Sequence, residues 1–216
     1  MSDSSRLADL TVREMLDRLA SRAPAPGGGS AAALAGAMGA ALVAMVAELT
    51  SGRPEYAEHE TTVMQLRADA VACKDLLLEL ADEDATTYQS VVSARRMPRE
   101  SEAERATRSA ALGEAMLAAA RIPMRIATVA AEVLGLAERI APIGNRNAAS
   151  DSGVAAQLAA AALRGAALNV RINLPYLPVD EPLRLSAPSE LALLEAQAGE
   201  REAAVLRAVD ALLVAS

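Results

Sequence analysis

The sequence contains no phenylalanine and no tryptophan, and only three tyrosines among 216 residues. Strands draw on aromatic and β-branched side chains, whereas helices tolerate alanine best. Alanine carries most of the apolar content of a chain that is 52% hydrophobic. An all-α protein is the expectation, in one domain over residues 1–216. Cysteine is nearly absent as well. The single Cys73 excludes an intrachain disulfide and any metal site built on several cysteines. Positive charge is in the minority. The formal net charge is −7, and Lys and Arg fall on amphipathic helix faces rather than in a patch, which argues against a nucleic-acid partner. The start, MSDSSRLADL, lacks the basic end and apolar run of a secretory leader. The expected location is the cytoplasm.

Along the chain, capping-box spacing at Thr11 and Glu14 predicts a short amphipathic helix in TVREMLDRLAS. RAPAPGGGS breaks it, and Ser30 is placed to cap a second helix ending near Leu49. A turn over residues 51–54 leads to a long helix from Glu55 to about Arg95. Ser101 and Glu104 repeat the capping-box spacing and open a helix to about Ile140, with a kink expected at Pro123. APIGNRNAASDSG reads as a polar loop, followed by helix from Asp151 to Ile172. NLPYLPVDEPLRLSAPS reads as irregular, and a last helix runs from Ser189.

Residues 30–47 carry no charge. The run has the length of a membrane span, but it is mostly Ala and Gly, with few strongly apolar residues; no membrane association is expected. The glycines before it lack the Lys and Ser/Thr that close a phosphate loop. Ala32, Gly36, Gly39, Ala40, Val43 and Ala47 share one helical face. Such a face allows close backbone approach, either at the centre of a bundle or at a dimer seam.

The long helix shows a stripe at alternating steps of three and four: Leu66, Ala70, Cys73, Leu77, Leu80, Asp84, Tyr88 and Val91. A carboxylate on a core stripe costs several kcal/mol unless it is paired or hydrogen-bonded. Burial also raises its pKa, which suits acid–base work. Asp84 is therefore a catalytic candidate, and a structural Asp tied to another helix is the alternative. Asp82 and Glu83 fall off the stripe and read as solvated. Asn145, Asn147, Ser150 and Asp151 cluster at a helix start; capping accounts for Ser150 or Asp151 but does not need both asparagines. Asn169 and Asn173 stand one turn apart on an otherwise apolar helix and call for partners.

Several stretches occur in one order: APAPGGGSAAALAGAMGAALVAMV, LTSGRPEY, LADEDATTY, RMPRESEAERATR, IPMRIA and GNRNAASDSGVAAQLAAAALRGAALNVRINL. In that order they resemble the cyclodeaminase/cyclohydrolase family, over about residues 10–174. The resemblance implies a mainly antiparallel helical bundle that forms a homodimer, with a folate substrate and no metal or redox cofactor. It implies hydrolysis of 5,10-methenyltetrahydrofolate to 10-formyltetrahydrofolate, or the alternative closure of formiminotetrahydrofolate with loss of ammonia. Asp84 would be the acid–base group and Asp151 the charge partner of the cationic bridge. Asn145, Asn147 and Arg53 would bind substrate, and Gly27, Gly28, Gly29 and Ser30 would let it approach the backbone. Relatives often carry a lysine-rich GKKKY where this chain reads GRPEY, residues 52–56. They often read PKNT where this chain reads PRES, with Arg99 keeping the charge. The lysines lost at Pro54 and Glu55 weaken the case for a polyglutamate tail and leave open a non-folate substrate; a non-catalytic helical dimer is the further alternative.

Overall fold

The computed structural model describes residues 6–214, and among them the regular structure is helical throughout. Six α-helices follow in order: α1 (Val12–Leu19), α2 (Gly28–Thr50), α3 (Glu60–Arg96), α4 (Glu102–Ile140), α5 (Ala149–Asn173) and α6 (Pro182–Val214). Both capping boxes form: Thr11 with Glu14 opens α1, and Ser101 with Glu104 opens α4. Short 3-10 turns, among them Pro54–His59 and Arg146–Ala148, join the longer elements.

At the centre lies α2, packed on α3, α4 and α5. Its small residues explain how. A methyl group added at Gly36 would meet Leu77 Cδ1 at 3.1 Å and the Ala162 side chain at 3.3 Å, and one at Gly39 would meet the Ala155 carbonyl at 2.9 Å. Only glycine admits α3 and α5 this closely on two sides. The stripe Ala32, Gly36, Gly39, Ala40, Val43 and Ala47 is thus the middle of the bundle and not an exposed seam. By length and composition α2 and the stretch Arg146–Tyr176 would each cross a membrane, yet 56% of each window is buried in the fold. The outer side of α2 is also apolar, exposing Met38, Met45 and Leu49, and α5 exposes Val154, Leu168 and Ile172.

Several boundaries differ from the expectations. The last helix begins at Pro182, seven residues before Ser189, because proline at a first helical position gives up an N–H that has no partner there anyway. Pro188 lies inside it. Residues 54–59 form a 3-10 turn rather than the first turns of α3. Helix α4 continues as one helical span through Pro123. Ser30 does not cap α2: Gly27 occupies the cap position, and Ser30 is the third residue of the helix.

Candidate active site

A cleft of about 300 Å³ opens where the start of α2 meets α3, α4 and α5. Gly27, Gly28 and Gly29 line it on one side and Asp84 on another. The burial pattern of α3 shows why Asp84 is there. Leu66, Ala70, Leu77 and Leu80 have no exposed surface, and Asp84 continues their stripe one turn beyond Leu80, half-buried. Tyr88, also on the stripe, is exposed and faces the cleft rather than the core.

Asp84 is held from α2. The Ser30 hydroxyl lies 2.9 Å from Asp84 Oδ2 and 3.1 Å from the Ala81 carbonyl, and the Ser30 backbone N–H also donates to the carboxylate. Ser30 itself is fully buried. Burial pushes the Asp84 carboxyl above its ordinary value, while the two Ser30 hydrogen bonds pull it back down. The positive end of α2 also favours the anion. Gly29 makes the contact sterically feasible: a methyl there would stand 2.2 Å from Asp84 Oδ1. The result is a fixed carboxylate at the edge of a small cleft, its carboxyl raised above the ordinary value by burial. Its neighbours Asp82 and Glu83, expected in open solvent, are engaged. Asp82 accepts from the Leu7 N–H at 2.6 Å, and Glu83 pairs with Arg125 at 2.8 Å.

The remaining sequence candidates gather elsewhere. Asn145 is buried against the far end of α2. Its Nδ2 donates to the Leu49 carbonyl at 2.9 Å and its own N–H to Thr50 Oγ1 at 2.8 Å, while its Oδ1 accepts from the Asn147 N–H at 3.0 Å. It is a strut joining the 146–148 turn to α2. Helix α5 has Ala148 at its cap position and no side-chain cap, so neither Ser150 nor Asp151 serves that role. Asn147 is exposed and Asp151 half-exposed in the first turn of α5. Arg53 is exposed in the neighbouring turn, where it lies 3.8 Å from Glu55. Helix α2 has 23 residues, about 34 Å at 1.5 Å per residue. Within one chain, Arg53, Asn145, Asn147 and Asp151 therefore stand at one end of α2, and Gly27–Ser30 with Asp84 at the other.

The cleft also holds residues that were not predicted as site residues. Arg95, Tyr88, Asn169, Asn173 and Tyr176 line it. The paired asparagines on an apolar helix were the available signal for two of them; Arg95 is one arginine among many in the sequence. Its guanidinium is exposed at the end of α3 and, among the described residues, forms no ion pair. Among the described residues no group of three or more His, Cys, Asp or Glu side chains gathers to hold a metal.

A family model described as Formiminotransferase-cyclodeaminase matches residues 11–191. The chain is 41% identical to a methenyltetrahydrofolate cyclohydrolase of Methylorubrum extorquens, over 88% of this chain and 90% of the relative. It is 31% identical to the formimidoyltransferase-cyclodeaminase of Rattus norvegicus, over 95% of this chain but only 38% of the rat protein's length. The crystal structure of a formiminotetrahydrofolate cyclodeaminase from Thermotoga maritima superposes with a TM-score of 0.84 at 30% identity, covering 96% of this chain and 99% of that one.

Proposed function

The chain belongs to the formiminotransferase-cyclodeaminase family, and on that premise we propose that it hydrolyses 5,10-methenyltetrahydrofolate to 10-formyltetrahydrofolate, with Asp84 as acid and base. It is an enzyme of folate one-carbon chemistry. The observation that carries the residue assignment is the Asp84 carboxylate, fixed by Ser30 and cleared by Gly29 at the cleft.

The chemistry follows from the site. The methenyl bridge is an amidinium-like cation between N5 and N10. A carboxylate beside it offsets that charge and takes a proton from the water that attacks the bridging carbon. The adduct collapses to a formyl group on N10 and the bond to N5 breaks. Asp84 returns its proton to N5, and the adduct's hydroxyl proton leaves to solvent. Burial raises the Asp84 carboxyl above its ordinary value, which makes the protonated form more available as the acid of the second step than it would be in an exposed carboxyl. The cleft volume suits the bicyclic ring head and not the whole folate. The tail then lies outside, where the exposed Arg95 offers a cation to its carboxylate.

Similarity to a named cyclohydrolase over nine-tenths of its length favours hydrolysis. The likeness to the Thermotoga maritima cyclodeaminase supports a second reading, in which the same carboxylate protonates departing ammonia. Purified protein given each substrate separately decides between them: absorbance loss from the methenyl compound supports the hydrolase, and ammonia release from the formimino compound supports the deaminase.

The far cluster fits a homodimer. The outer apolar side of α2, with Met38 near its middle, is the face for a second copy. A two-fold axis crossing α2 near Met38 runs the two α2 helices antiparallel. The end of one copy that carries Arg53, Asn147 and Asp151 then lies beside the Asp84 end of the other. The proposed site draws on both subunits and on no cofactor beyond the folate substrate.

A further inference from the structure

Two carboxamides line the Asp84 cleft and take no part in the proton transfers above. Asn169 and Asn173 stand one turn apart on α5. What their nitrogens meet fixes their orientation. Asn169 Nδ2 donates to the Gly165 carbonyl at 2.9 Å, and Asn173 Nδ2 donates to the carbonyls of Ala119 at 2.9 Å and Asn169 at 2.8 Å. Every one of these partners is an acceptor, so turning either amide over would set oxygen against oxygen. The Ala119 contact has a cause in α4. Pro123, four residues further on, has no N–H to give that carbonyl, and Asn173 supplies the missing donor.

Each side chain is thus left with one oxygen to spare. Among the described residues no donor reaches Asn169 Oδ1 or Asn173 Oδ1, and neither atom is sealed away from solvent. The cleft floor stays low beneath Asn169 because Gly28 has no side chain; a methyl there would lie 3.4 Å from Asn169 Nδ2 and 3.7 Å from its Oδ1. Side chains four apart on a helix stand about 5–6 Å from one another. One edge of a fused bicyclic ring with two donors spans such a pair of acceptors.

We propose that Asn169 and Asn173 determine substrate specificity, their two Oδ1 atoms accepting hydrogen bonds from the exocyclic amino group and a ring N–H of the folate head. This rests on the folate reading above. An acceptor pair of this kind favours a ring with donors on that edge. It leaves an acceptor unpaired when the amino group is missing.

The test measures kcat/KM for 5,10-methenyltetrahydrofolate and for its 2-desamino counterpart, with the wild-type protein, Asn169→Ala and Asn173→Ala. Wild type should prefer the parent compound by about tenfold or more; the variant lacking the acceptor of the amino group should prefer it by about threefold or less, and the variant lacking the acceptor of the ring N–H should lose about threefold or more on both compounds alike. The change should sit in KM, since the bonds are made equally in ground and transition states. The preference is a ratio, so a variant that is only partly folded still gives a valid reading. No turnover of the parent compound by wild type would sink the functional reading itself. Normal turnover with no preference, a wild-type preference kept by both variants, or a fall in kcat with KM unchanged would overturn this inference alone.

Discussion

Gly29 and Asp84 stand so close that a single methyl on Gly29 would lie 2.2 Å from Asp84 Oδ1 and 2.6 Å from its Cγ. The missing side chain on α2 is the space the carboxylate occupies. Gly29→Ala is therefore expected to fold and to displace the carboxylate, lowering kcat/KM by about 100-fold, as ångström-scale misplacement of a reacting group does. Gly113→Ala is the control. Nothing lies within 4 Å of that added methyl, so it should raise stability by about 0.5–1 kcal/mol without touching the cleft. Thermal melts and steady-state kinetics on both variants check this.

The pH behaviour of Asp84 has a definite sign. Burial raises its carboxyl above 3.8 in the folded chain. The fold therefore favours the protonated form, and the stability tied to it is present below that ordinary value and lost as pH rises through the folded one. Asp84→Asn escapes the loss. Its Tm relative to wild type should improve as pH climbs from about 4 toward neutrality, and the two should converge in their trend below that window.

Activity should report the same group from the other side. The acid limb of kcat/KM should lie above 3.8, where Asp84 loses its charge. Ser30→Ala removes a hydrogen bond that holds the carboxyl down, so its limb should move to higher pH. A limb that stays in place or moves lower would contradict the role given to Ser30.

Asn145 makes three hydrogen bonds that tie the 146–148 turn to the end of α2. Two of them use its side chain, and truncation leaves the Leu49 carbonyl and the Asn147 N–H without those partners. Asn145→Ala should cost about 2–3 kcal/mol on the scale of buried hydrogen-bond deletions. Chemical denaturation with an unchanged m-value would confirm a purely structural loss.

A site shared between subunits predicts rescue by mixing. Asp84→Asn and Asp151→Asn should each be poorly active alone. Co-refolded in equal amounts, they should recover activity toward about a quarter of wild type, because random pairing leaves one site in four with both carboxylates in a two-fold dimer. Full activity of Asp151→Asn by itself would contradict the shared site.

Much of this was legible in the residues. Helix periodicity and the two capping boxes placed the starts of α1 and α4, and the stripe through Leu77 and Leu80 placed Asp84 beside buried neighbours. Pattern alone could not say which end of α2 each loop would reach. Hence Asn145 and Asp151, grouped with Asp84 by the family resemblance, lie at the opposite end of that helix in one chain. Ser30 looked like a cap because Ser often is one, but Gly27 took the cap position and left the hydroxyl for Asp84. The prolines from Pro175 to Pro188 read as irregular chain, yet Pro182 sits where a helix accepts proline. The bond from Asn173 to Ala119 depends on Pro123 in another helix, a pairing of elements that local sequence does not encode.

The central claim is that Asp84 moves the proton at the methenyl bridge. Its most direct test compares wild type with Asp84→Asn on saturating 5,10-methenyltetrahydrofolate, following loss of near-ultraviolet absorbance against a buffer blank. Loss by wild type well above the blank, with kcat in the variant lower by about 10²–10⁴-fold and its Tm retained, is the predicted result. A folded Asp84→Asn protein that hydrolyses the substrate at the wild-type rate would contradict it.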